Sequence, residues 1–137
     1  MSTRSPSHTK DPVGSSHART AAVWGAALVG LGVMLGAFGA HTLTDLVSEA
    51  RLATFETGVR YQVYQGLGLL ALAALSQRGA LAARSAPFLI AGTVVFSGSL
   101  YALVAGAPGW FGAVAPAGGV LMIVGWILAA WHLARSA

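Results

Sequence analysis

The stretch AAVWGAALVGLGVMLGAFGA, residues 21–40, runs twenty residues without a charged side chain. A helix needs about 20 apolar residues to cross the ~30 Å hydrocarbon core of a bilayer, and uncharged runs of this length have few other uses. Three more runs follow at 57–76, 86–105 and 113–133. Across all four, charge is confined to Arg60 and, at an edge, Glu56. The pattern predicts an all-α polytopic membrane protein: an antiparallel bundle of four transmembrane helices within residues 21–137. A short amphipathic outer segment joins the first two spans.

Composition excludes the soluble classes. Of 137 residues, 55% are hydrophobic and 9% charged, and mean hydropathy is +0.69, whereas soluble domains carry about 25% charged residues. A soluble chain this short has too little interior to bury so much apolar surface. The lack of cysteine removes disulfides, thiolate metal sites and thiol nucleophiles. A pI near 10.4 does not signal a nucleic-acid partner. The eight Lys and Arg residues lie scattered at the ends of spans and form no patch.

Residues 1–20 (MSTRSPSHTKDPVGSSHART) are rich in Ser, Thr, Pro and His and lack an apolar period, which predicts a disordered tail. The run after it exceeds the about 7–15 residues of a signal-peptide core, so it reads as a retained span. With four spans, Arg4, Lys10, Arg19, Arg78, Arg84 and Arg135 share one side. Arg51 and Arg60 fall on the other, with Asp45, Glu49 and Glu56. Cytoplasmic segments carry the excess of Lys and Arg, which predicts that both termini are cytoplasmic. Trp24 and Trp131 at one end and Trp110 at the other suit the interfaces, while Trp126, deeper, reads as packing or lipid contact. Segment 42–56 (TLTDLVSEARLATFE) puts Leu43, Leu46, Val47, Leu52 and Phe55 on one approximate face, the pattern of a short helix lying on the outer surface.

Gly25, Gly32, Gly36 and Gly39 recur at spacings of seven, four and three, and so line one stripe of the first span. Gly118, Gly125 and Ala129 do the same in the fourth, and Gly92 with Ser99 in the third. Lipid gives helices no hydrophobic reason to pair, so small residues that permit close van der Waals approach supply it. The stripes read first as packing inside the bundle and second as a homodimer face. Pro116 falls near the start of the fourth span, where first-turn amides lack intrahelical partners.

The polar residues inside the spans are the candidates for function. Gly58, Tyr61, Gln62 and Gln65 stand at i, i+3, i+4 and i+7, hence on one face of the second span. Two amides and a phenol in hydrocarbon need partners. Thr93, Ser97, Ser99 and Tyr101 of the third span offer them, with His41 at the close of the first. Interhelical hydrogen bonding is the plain reading, and a ligand or proton site the sharper one. Glu56 and Arg60, one helical turn apart, form a candidate interface ion pair, with Arg60 reaching towards the outer surface. His41 alone makes neither a metal nor a haem site. No HExxH, GxSxG, P-loop or paired-carboxylate pattern occurs, so no catalytic or metal-ligating residue is assigned and no cofactor is expected.

GAFGAHTL at 36–43, TGVRYQVYQGLGLL at 57–70, GTVVFSGSLY at 92–101 and PAGG at 116–119 occur in that order. Together they resemble the YgdD family of small bacterial inner-membrane proteins, which has a mammalian mitochondrial relative. The likeness covers roughly residues 22–134. It implies four membrane helices and, because the family is a domain of unknown function, no activity and no established site residues. It also implies a His where this chain has Gln65. Gln hydrogen-bonds but does not titrate, which argues against a proton relay or metal ligand there.

These features predict a non-enzymatic interaction or assembly factor in the inner membrane. Its expected partners are the lipid bilayer and other membrane proteins, or a second copy in a homo-oligomer. A small transporter or channel protomer is the alternative, weakened because no Asp or Glu lies near mid-membrane to couple protons. A haem- or quinone-binding protein is weaker still.

Overall fold

The computed structural model describes residues 12–76 and 81–135 and shows four α-helices. These are α1 (Pro12–His41), α2 (Glu49–Ser76), α3 (Ala86–Val104) and α4 (Phe111–Ala134). Leu43–Asp45 and Leu81–Ser85 form 3-10 turns, and none of the described residues lies in a strand. Long apolar runs settle on the helix because it satisfies its own backbone groups where no water reaches them. Pro12 opens α1 and Pro87 lies in the first turn of α3, positions where a missing N–H costs nothing. At the other end of α3, Gly106 takes φ +97°. The Ala107 and Gly106 N–H groups then donate to the Ala102 and Leu103 carbonyls at 2.9 and 3.1 Å. This is a Schellman closure, which glycine permits without strain.

Four features differ from the sequence reading. α1 starts at Pro12, so residues 12–20 are helical, and the rest of the expected tail, 1–11, lies outside the described residues. Packing draws the helix outward: Ala18 and Ala21 are buried with Ala82, Ala83 and Ala86. Residues 81–85, expected as part of a loop, are instead a turn whose Ala82, Ala83 and Ser85 are buried while Arg84 stays exposed. Segment 42–56 is not a separate surface helix. After the turn at Leu43–Asp45 the chain enters α2 at Glu49 and continues unbroken to Ser76, since neither Pro nor an interrupting Gly separates Ala50 from Thr57. Pro116 is the sixth residue of α4, inside the helix rather than in its first turn.

Consecutive helices run antiparallel. α1 lies against α2, α4 against α3, and the inner pair α2 and α3 joins the two halves. The α1–α2 seam closes where a Cβ on Gly25 would stand 2.8 Å from the Gly66 carbonyl oxygen. The α3–α4 seam closes where one on Gly118 would stand 2.5 Å from the Phe96 nitrogen. Leu28, Leu69, Leu72, Leu89 and Ala129 form one apolar cluster towards the end holding the 81–85 turn. Leu43, Phe55 and Val104 form a second towards the opposite end. Between them along α2 sits a layer of buried polar side chains, Gln62 and Gln65, facing Ser97 of α3.

The surface inverts the usual distribution. Val33 and Met34 are each 65% exposed, and Ile123 and Ile127 are 61% and 63% exposed, whereas amides and hydroxyls are buried. A helical surface built this way faces hydrocarbon, not water. By length and composition, Ser16–His41, Ala82–Val104 and Phe111–Ala134 each suffice to cross a membrane. α2 carries more polar residues than these three.

Candidate functional site

α2 directs its polar residues at all three other helices. Gln62 Nε2 donates to the Leu28 carbonyl of α1 at 2.9 Å, and its Oε1 accepts from the Tyr101 hydroxyl of α3 at 2.8 Å. Gln65 Oε1 accepts from the indole Nε1–H of Trp126 on α4 at 2.9 Å. Ser97 Oγ donates to the Gly58 carbonyl at 2.8 Å. Within two turns, α2 is therefore bonded to each of its neighbours.

Two glycines seat the aromatic partners. A Cβ on Gly58 would stand 2.7 Å from Tyr101 Cε1, so the phenol packs directly against α2 and its hydroxyl reaches Gln62 one turn on. A Cβ on Gly68 would stand 2.5 Å from Trp126 Cζ2, and the indole seated there presents its N–H to Gln65. Across α1, Gly32 leaves room for Val63 and backs the Gln62 amide. Every described side-chain nitrogen or oxygen that is fully buried has a hydrogen-bond partner. The layer braces helices, and Gln65 Nε2, which makes no hydrogen bond, is not fully sealed.

Several expected members stand elsewhere. Tyr61 is 41% exposed, its ring tilted against Phe96 at 4.9 Å between centroids. At 3.6 residues per turn it falls on one shoulder of the Gly58 face and Gln62 on the other, and only the second shoulder is covered. Ser99 and Thr93 are buried, but their hydroxyls donate to the Phe96 and Leu89 carbonyls of their own helix at 2.8 and 2.6 Å. Such local carbonyls are always within reach of a helical Ser or Thr. His41 is exposed at the end of α1, away from the layer.

Glu56 and Arg60 do not form the expected ion pair. Both are exposed, and an exposed i,i+4 pair is worth only about 0.3–0.5 kcal/mol, too little to hold two long side chains together. They line a cavity between α1 and α2 instead. The glycine stripe of α1 is also uneven. Gly25, Gly32 and Gly39 touch α2 closely, but a Cβ on Gly36 would meet Val59 Cγ1 at an ordinary 3.7 Å. On the other seam Gly92, Gly118 and Gly125 all face tight contacts.

Trp126 and the Leu28 carbonyl escaped the sequence reading. A signal for the first was present, because an indole N–H at membrane depth must find an acceptor. A backbone carbonyl leaves none.

Residues 35–119 match the model of a family described as a protein of unknown function, DUF423. The chain belongs to the DUF423 family. It is 41% identical over 98 residues to the UPF0382 inner membrane protein YgdD of Escherichia coli K12, covering 70% of this chain and 75% of YgdD. To the UPF0382 membrane protein YwdK of Bacillus subtilis it is 43% identical over 101 residues, 72% of this chain and 82% of YwdK. A UPF0382 membrane protein of Staphylococcus aureus is 42% identical over 99 residues, 72% of this chain and 81% of its own length. No solved structure matches. This DUF423 protein, like its relatives, is an integral membrane protein. The family match encloses Gly58, Gln62, Gln65, Ser97 and Tyr101 but not Leu28 or Trp126. The α2–α3 bonds therefore lie within the matched segment, whereas the ties to α1 and α4 use groups beyond it.

Proposed function

We propose that this DUF423 protein crosses the inner membrane four times with both termini cytoplasmic, and acts without catalysis as an interaction or assembly factor for other membrane proteins. The fate of the buried polar groups carries this reading. A transport path across the membrane needs polar side chains turned to an opening through its middle, but Gln62 and Ser97 there are sealed between helices, where they bond to α1, α2 and α3. What the molecule offers is its apolar outer surface. α2 serves as the fourth span because its amides face helices rather than lipid, and its 28 residues reach about 42 Å. Arg19, Arg84 and Arg135 gather at the end of the 81–85 turn, which is the cytoplasmic end by the excess of basic charge.

Photo-reactive residues placed in the membrane at exposed Val33 of α1 and Ile123 of α4 test the proposal. A protein partner captured at fixed stoichiometry from one face, and not the other, is the expected result. Cross-links to lipid alone from every exposed position would overturn it.

A further inference from the structure

Between α1 and α2, near the end that carries residues 42–48, lies a cavity of about 240 Å³ lined by Gly36, Gly39, Phe55, Glu56, Val59 and Arg60. Its floor is apolar, and its rim holds one carboxylate and one guanidinium that are not paired with each other. The volume is several times the ~30 Å³ share of a water molecule and below the ~300–1,000 Å³ of sites that enclose a drug-sized ligand. It suits a small charged group carried on an apolar stem.

We propose that this cavity binds the headgroup of a phospholipid with a primary ammonium, the phosphatidylethanolamine class. The Arg60 guanidinium matches a phosphate, which it can meet with two parallel N–H bonds. The Glu56 carboxylate accepts from the ammonium, whose three N–H groups make it a donor only. The order of charges along α2 also fits. Arg60 lies one turn, about 6 Å, further into the bilayer than Glu56, as the phosphate of such a lipid lies on the acyl side of its ammonium. Gly36, where a Cβ would sit 3.7 Å from Val59, leaves the space into which the glycerol end descends.

A second cavity of about 350 Å³ on the opposite flank of α2 is lined by Arg51, Thr54, Leu103, Val104, Ala107 and Gly109. It has a guanidinium and no carboxylate, so it can take a phosphate but cannot select an ammonium. It serves as the internal control.

The inference goes beyond the proposed function. It rests on that reading only in placing this end of the bundle at a membrane surface, and lipid retention is read without reference to partners or orientation. The intact chain would be released from nanodiscs holding equal parts dioleoyl phosphatidylethanolamine, phosphatidylcholine and phosphatidylglycerol, and its bound lipid weighed by native mass spectrometry. Phosphatidylethanolamine should exceed phosphatidylcholine roughly tenfold, the weight of one hydrogen bond to a charged group. Glu56→Gln, which keeps an amide oxygen but loses the charge, should weaken that preference while phospholipid is still retained, and Arg60→Gln should lower retention of all three lipids. Gly36→Leu should fill the cavity and remove the preference, whereas Arg51→Gln should leave it unchanged. Glu56→Gln alters an exposed position, so the test stands even if Arg60→Gln yields no folded protein. Equal retention of phosphatidylethanolamine and phosphatidylcholine, a dominant phosphatidylglycerol, or an undiminished preference in Glu56→Gln would each overturn the proposal.

Discussion

Gln62 is where two interhelical bonds meet, and its loss should be felt at both. Gln62→Leu removes the bonds to Leu28 and Tyr101 and leaves the phenol hydroxyl without its acceptor. Interhelical hydrogen bonds in membranes average about 0.6 kcal/mol, and a stranded half-buried hydroxyl adds up to about 1 kcal/mol. A loss near 2 kcal/mol should appear as a lower denaturation midpoint in detergent. Tyr101→Phe should cost less alone, and the double variant less than the two losses added, because the second change removes the stranded group. Strict additivity would mean the 2.8 Å bond between them contributes nothing. Gln65→His, which installs the residue the family resemblance implies, should be tolerated at neutral pH. An unprotonated ring nitrogen can accept the Trp126 indole N–H as Gln65 Oε1 does. Trp126→Phe, which deletes the donor, should lower the midpoint by ~1 kcal/mol or less, and a larger fall from Gln65→His than from Trp126→Phe would contradict the assigned bond. The spacing of Gln62, Gln65, Ser97 and Tyr101 made this layer legible in the sequence. It could not separate Tyr61, because periodicity gives a face and not which shoulder of it a neighbour covers. Nor could it show that Ser99 and Thr93 would turn to their own helix.

The helices themselves were readable as elements because an uncharged run of twenty residues leaves the backbone little alternative. Their ends were not. Ala18 and Ala21 extend α1 by packing against the 81–85 turn, a contact between segments about sixty residues apart that no local pattern announces. The glycine stripes were legible as stripes, but their tightness depends on what stands opposite. At Gly118 the opposing atoms are backbone, the Phe96 nitrogen at 2.5 Å and the Gly92 oxygen at 2.7 Å from a built Cβ. Neither can swing aside. Gly118→Ala should therefore prise α3 from α4 and cost about 1–3 kcal/mol. At Gly30 nothing lies within 4 Å, and Gly30→Ala should match or exceed the parent midpoint, since Ala is the better helix former by about 1 kcal/mol. Gly36→Ala, facing only an ordinary contact, should behave like Gly30→Ala. Equal losses at Gly118 and Gly30 would show that the α3–α4 seam is not built on this close approach.

At the scale of the molecule α2 stands apart, since the other three helices qualify as spans by length and apolarity alone. Its polarity follows from its place. The side chains that depress its apolar character, Gln62 and Gln65, are 3% and 7% exposed and bonded to α1, α3 and α4. Under the proposed four-span reading these bonds hold the middle of α2 beside the middles of its partners. Three and four crossings also predict opposite geometries. If α1, α3 and α4 alone spanned, the two ends of the chain would emerge on opposite sides; if α2 spans as well, they emerge on the same side. The basic residues favour the latter, because four crossings gather Arg19, Arg84 and Arg135 on one side, away from Arg51 and Arg60, whereas three would part Arg19 from the other two. Alkaline phosphatase fused at either end should accordingly be inactive and a fluorescent protein there bright, with the reverse result for a reporter inserted in 42–48. An active phosphatase at one end alone would leave α2 outside the membrane's count, and an active phosphatase at both ends would keep four spans but invert them.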